Sequence, residues 1–209
     1  MSRDLTATAA PPAPGRPADE ELTARILQVA GDLLQEHGFA ALRIEHVARA
    51  AQCGKAAIYR RYRDKAELVA ALIRSRVAVG EAPDTGDVRA DLLAHARQNQ
   101  RNQDGGGLVA GRAMQAMFEP EVFPILWDSF FRARRDQGAQ IISRAIRRGE
   151  LPGDVDPDVI LDTIAGLTLY RQSVKGIRID ERHYRTVIDA LLAHPPRRLD
   201  GDAEGTDSP

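Results

Sequence analysis

From Asp19 to His194 apolar residues recur three and four apart, and nowhere do apolar and polar positions alternate long enough to make a strand. A chain patterned this way buries its apolar stripes by packing helix on helix, so an all-α fold of about nine helices is expected. The first helix starts with Asp19 as its cap, buries Leu22, Ile26, Val29, Ala30, Leu33 and Leu34, and ends at Gly38. Short helices follow over 44–51 and 55–62, separated by the turn "QCG". Asp64 and Glu67 have capping-box spacing and open a fourth helix that buries Leu68, Leu72 and Ile73. Past "GEAPDTGD", five more helices are expected over 85–103, 107–119, 121–149, 156–175 and 180–193. The breaks between them are "DGGG", Pro120, "LPGD" and "KGI", and Asp156 with Pro157 makes a good helix start. Residues 1–18, rich in Pro and Ala, read as a mobile arm, and residues 195–209 as a disordered tail.

Charge is where the sequence stops being ordinary. The chain carries 29 basic and 30 acidic residues, yet between Arg43 and Lys65 there are seven basic residues and only two acidic ones, Glu45 and Asp64. Two of the three lysines, Lys55 and Lys65, lie in that stretch. A helix, a three-residue turn and a short basic helix are the parts of a helix-turn-helix. The second helix must enter a major groove about 12 Å wide, so it has to be slim and polar outside. "KAAIYRRY" meets that need: Ile58 faces inward, Ala56 and Ala57 allow close approach, and Lys55, Tyr59, Arg60 and Arg61 can face outward. Basic side chains at the rim neutralise phosphates. The competing reading is a solvated charged face on a helical hairpin.

"HGFAALRIEHVARAAQCGKAAIYRRYRDKAELVAAL", residues 37–72, resembles the DNA-binding domain of the TetR family of transcriptional regulators, through Gly38, Phe39, Val47, Ala48, Ala51, Lys55, Tyr59, Lys65 and Leu68. "RRGELPGDVDPDVILDTIAGLTLYRQ" is similar to one of that family's effector-domain types. The resemblance implies a three-helix DNA-binding domain over 19–80 and a ligand-binding, dimerising domain over 84–194. It implies phosphate contacts from Tyr59 and Lys65, and places Lys55, Ala56, Ala57 and Arg61 nearest the bases. The chain departs from the pattern at Arg43, where the family often has a phosphate-binding Thr. It departs again at Gln52-Cys53-Gly54, in place of Gly-Val-Ser, and at Ala57, in place of Thr. Arginine binds phosphate but does not cap a helix as Thr does.

Further along, Met114, Met117, Phe118, Phe123, Trp127, Phe130 and Phe131 form an aromatic and Met-rich set. Taken singly each reads as core; as a set, with Tyr170, they are candidates for the ligand cavity the resemblance implies. "VILDTIAGLTLY", residues 159–170, is apolar nearly all round. Either it is buried deep within one chain, or one face meets a second subunit, with Ile160, Thr163, Gly166 and Leu167 as contacts.

Other classes of function find little here. No apolar run approaches the roughly 20 residues that span a bilayer, and the N-terminus lacks the apolar core of a secretory signal. A cytoplasmic protein with no membrane partner is expected. Cys53, the one cysteine, reads as a small buried hydrophobe. His37, His46, His95, His183 and His194 have no metal-ligand spacing and read as surface or cap residues, so no metal or cofactor is expected. "GGLVAGRA" mimics a phosphate loop but lacks its Lys and Ser or Thr. The expectation is a homodimeric repressor that binds a palindromic DNA operator and is released by a largely apolar small molecule. The alternative is a helical small-molecule-binding protein or enzyme whose basic patch holds an anionic substrate, and a third reading is an architectural DNA binder.

Overall fold

At Asp64, Asp156 and Asp180 an aspartate caps a helix just before its apolar stripe. The computed structural model describes residues 16–104 and 112–199. Ten α-helices stand among them: α1 (Arg16–Ala41), α2 (Ile44–Ala50), α3 (Lys55–Tyr59), α4 (Lys65–Arg74), α5 (Val88–Asp104), α6 (Arg112–Ala116), α7 (Phe123–Leu126), α8 (Arg132–Arg148), α9 (Pro157–Leu169) and α10 (Glu181–Ala193). A π-helical turn, Trp127–Phe131, joins α7 to α8 into one rod, and a second, Tyr170–Val174, extends α9. Counted as rods, the described elements number nine, as the sequence implied. The start of the helix expected over 107–119, most of the "GGLVAGRA" motif, and the ends of the arm and tail lie outside the described residues.

Asp64 caps α4 by accepting from the Glu67 amide at 2.9 Å, and the Glu67 carboxylate accepts from the Arg63 amide at 2.6 Å. The box is therefore closed one residue before the cap itself. Asp156 caps α9 through the Asp158 and Val159 amides, with Pro157 in the first turn. At α10, Asp180 and His183 satisfy each other's backbone amides, a histidine taking the place of the usual Glu.

Three boundaries differ from expectation. α1 begins at Arg16, so Asp19 lies in its first turn, where a carboxylate favours the exposed amides. Gly38 does break the first helix, at φ 78°, but helical turns resume to Ala41. The short helix expected over 55–62 ends at Tyr59, and Gln52 carries a left-handed backbone (φ 52°) in the turn before it. The tail's first residues are also structured. Pro195–Leu199 folds back over the α8–α9 turn, where Asp156 donates to the Pro196 carbonyl at 2.8 Å and Arg198 to that of Asp154 at 2.9 Å.

The apolar core divides in two. One part holds α1–α4 together with Ala113, Met114, Met117, Val122 and Leu126. The other joins α5, α8, α9 and α10 around Leu92, Ile141, Ile160, Ile164, Tyr184 and Ile188. α6 and α7, C-terminal in sequence, thus pack on the N-terminal helices. α8 and α9 approach closely at Gly138, where a Cβ would sit 2.4 Å from Leu161 Cδ2.

Candidate functional site: a basic helix surface and an apolar cavity

Ile58, fully buried, anchors α3 on α1 and α2, so the opposite face turns outward. Lys55, Ala56, Tyr59 and Arg60 are exposed there and Ala57 is half-buried. Lys55 Nζ sits 3.3 Å from Glu45 Oε1. The Glu45 carboxyl is held below its ordinary value, first by its own backbone amide and then by Lys55. Glu45 therefore competes with any phosphate for Lys55, a role not visible from the sequence. Lys65 lies over the Phe39 ring, 4.0 Å from its centre, and donates to the Phe39 carbonyl at 2.9 Å. That seat fixes the ammonium and leaves it hydrogens to donate to a phosphate. Arg43, at the start of α2, makes no side-chain cap. It donates instead to the Ala40 and Leu42 carbonyls, at 2.7 and 3.3 Å.

Arg61 is a correction. Its side chain is 13% exposed and forms an ion pair with Asp19. It also donates to Thr23 Oγ1 at 3.0 Å and to the Ala57 carbonyl at 2.6 Å. Arg61 joins α3 to α1, and these partners occupy its guanidinium. Arg25 does similar work, donating to the Ala51 carbonyl at 2.9 Å. Cys53 is half-buried and packs against the N-terminal core.

The aromatic and Met-rich set comes together around a cavity of about 350 Å³. All seven residues line it: Met114, Met117, Phe118, Phe123, Trp127, Phe130 and Phe131. Phe123 is central, with ring centres 6.2 Å from Phe118, 6.0 Å from Trp127 and 5.9 Å from Phe131. The π turn supplies this packing, since its wider register presents Trp127, Phe130 and Phe131 to the same space. Ile73 of α4 and the adjacent Val77 complete one wall, so the N-terminal unit itself borders the cavity. Tyr170 does not line it. It is 52% exposed, because the α9 register carries it to the outer face.

The sequence missed the polar wall. Arg134, His95, Asn99, Thr168 and Gln172 also line the cavity. Arg134 and His95 are 6% and 7% exposed. Burial pushes the His95 imidazole down to about 3, helped by the Arg134 charge, so the ring is neutral at ordinary pH. This corrects the surface reading of His95. Burial pulls the Arg134 guanidinium down to about 10, with the Arg101 charge adding, and it remains a cation at neutral pH. One signal was available: Arg134 stands four residues from both Phe130 and Gly138, inside a buried stripe.

Ile160 is fully buried within the chain and belongs to the core, not to an outer face. Thr163 and Gly166 are exposed and Leu167 is half-buried. A Cβ on Gly166 would meet nothing within 4 Å.

Among the described residues no helix is long and apolar enough to cross a membrane, and no cluster of His, Cys, Asp and Glu could hold a metal. A helix-turn-helix with an exposed basic second helix, carried on a helical unit with an apolar cavity, has the architecture of a DNA-binding regulator. Comparison with known proteins agrees. Residues 26–72 match the family "Bacterial regulatory proteins, tetR family", and residues 82–191 match "Tetracyclin repressor-like, C-terminal domain". The chain is 32% identical over 183 residues to an uncharacterized HTH-type transcriptional regulator of Mycobacterium tuberculosis, covering 87% of this chain and 89% of the other. It is 32% identical over 180 residues to the DNA-binding transcriptional repressor TetR of Mycobacteroides abscessus, covering 83% and 93%. In fold it is similar to NalD, the secondary repressor of the MexAB-OprM multidrug efflux pump in Pseudomonas aeruginosa. The TM-score is 0.66 at 16% identity, covering 88% of this chain and 100% of the other. The chain belongs to the TetR family; it is a transcriptional regulator, and that family is not one of enzymes.

Proposed function

We propose that the chain binds a roughly palindromic operator in the cytoplasm as a homodimer, and that a small molecule seated in the cavity releases it. The observation that carries this reading is the position of α4. Its start is capped beside Lys65, under the basic surface, and Ile73 near its end borders the cavity. A ligand that fits one position of α4 better than another shifts the spacing of two recognition helices, by as much as its affinities for the two states differ. Two such helices meet adjacent major grooves when about 34–36 Å apart. Lys55, Tyr59, Arg60 and Lys65 contact phosphates and base edges, with Arg43 at the rim and Ala56 and Ala57 giving close approach.

The outer stripe of α9 supports the dimer. Val159, Thr163, Gly166 and Tyr170 recur at helical spacing and are all exposed in the single chain. Such a face on a helix whose other side is core suits a bundle of α9 and α10 from two subunits, with Leu167 beside it. The stretch 19–80 then acts as the DNA-binding domain and 84–194 as the effector and dimer domain. The test is footprinting on the intergenic DNA beside the gene. Two symmetric protected half-sites are expected, with Tyr59→Phe and Lys65→Ala both weakening binding, and Lys65→Ala lowering the salt slope by about 1. A single unpaired footprint, or unchanged affinity in both variants, overturns the reading.

A further inference from the structure

We infer that the effector is an amphipathic anion, whose acid group pairs with Arg134 while its apolar body packs on Phe123, Trp127 and Phe131. The inference rests on the cavity being the effector seat. Its ground is an imbalance in the cavity wall. Arg134 Nη1 donates to the Val79 carbonyl at 3.1 Å and to Gln137 Oε1 at 3.3 Å. Its Nη2 donates to the His95 carbonyl at 2.7 Å and to Asn99 Oδ1 at 3.2 Å. All four acceptors are neutral, and among the described residues no carboxylate pairs with Arg134. The neighbouring Arg135 shows the contrast: Asp158 at 2.7 Å and Asp162 at 3.0 Å neutralise it. A guanidinium buried with its charge uncompensated is costly to hold, and an anion arriving through the cavity removes that cost.

Further polar atoms on the same wall lack partners. Gln172 Nε2 and His95 Nδ1 are buried with no hydrogen bond, and both residues line the cavity. A carboxylate takes donors from a guanidinium and an amide together, with charge-assisted bonds that a neutral ligand cannot match. The neutral His95 ring adds no competing charge. Asn102 and the ion-paired Arg135 and Asp162 also border the cavity, and the remainder of the wall is aromatic and aliphatic; a volume of about 350 Å³ lies at the small end of ligand pockets, which run about 300–1,000 Å³. The fit is a compact molecule with one charged end. If Arg134 served only to clamp Val79 to α5, the cavity would show no preference for a ligand's charge.

Decanoate and 2-naphthylacetate, each beside its primary amide, test this on the full chain at neutral pH. Trp127, the only tryptophan, reports binding by fluorescence. At least one acid is expected to bind about tenfold more tightly than its amide. Arg134→Gln should erase that preference and Arg134→Lys should keep part of it. Equal binding of acid and amide, no binding by either acid, or a preference that survives in folded Arg134→Gln overturns the inference. Should Arg134→Gln not fold, the comparison on the unaltered chain and on Arg134→Lys decides. Operator release, read by anisotropy, separates this inference from the one beneath it. Release by the amides as readily as by the acids leaves the repressor reading intact and removes the anion. Preferential acid binding without release keeps the anion site and removes the cavity as the seat of induction.

Discussion

Arg61→Ala tests whether this arginine reads DNA or joins helices. The side chain is 13% exposed and spans from α3 to Asp19 and Thr23 of α1. A hydrogen bond from a charged group contributes about 1.5–3 kcal/mol, and the part-buried bond with Thr23 falls toward the lower end of that range. The Asp19 side chain is 67% exposed, so solvent screening limits that ion pair to about 1 kcal/mol or less. The Ala57 carbonyl can turn to water in the variant. A loss of about 2 kcal/mol is therefore expected, a sizeable share of the roughly 5–15 kcal/mol that stabilises a domain. In urea this lowers the unfolding midpoint by about 1 M. Thr23→Val should cost less in the Arg61→Ala background than in the original chain, which a double-mutant cycle reads directly. Affinity for DNA should fall by one common factor across operators altered at each base, because α3 as a whole loses its support. An unchanged midpoint together with a base-specific change in preference would refute the reasoning and return Arg61 to the bases.

Two further predictions use the effector domain. Gly166→Leu should leave the melting temperature of the single chain unchanged but weaken self-association in sedimentation, since a side chain there meets nothing in its own chain. Gly138→Ala should instead destabilise by about 1–3 kcal/mol, because its Cβ meets Leu161 at 2.4 Å; a dimer untouched by Gly166→Leu moves the interface elsewhere. The depressed His95 value, about 3 against 6.5, sets a pH dependence. Between those values the unfolded chain binds a proton that the folded chain refuses, so stability is intact above about 6.5 and falls as pH drops. From pH 6.5 to 5.5 the original chain should lose about 1 kcal/mol more than His95→Leu in urea melts, and parallel losses would count against the burial of a neutral ring.

The helices were legible because their signals are local. Asp64 with Glu67, Asp156 with Pro157, and Gly38 each act on backbone groups within one turn of themselves. The basic surface was legible for the same reason: Lys55, Tyr59 and Arg60 face outward once Ile58 faces inward, and three and four residues decide that on a helix. The aromatic set was legible as a set, since apolar side chains so close in sequence must bury together. What each side chain touches across the fold was not. Arg61 and Arg60 are neighbours of the same type, yet Thr23, 38 residues away, takes one and leaves the other exposed. Ile160 and Gly166 lie on one apolar helix, and the packing of α5, α8 and α10 around α9 sends the first inside and leaves the second bare. The sequence by itself determined helix, class and basic surface, through spacing and charge. Tertiary structure decided that Arg134 stands in a largely apolar cavity, paired with no carboxylate among the described residues, because burial and pairing depend on elements that meet only when the chain has folded.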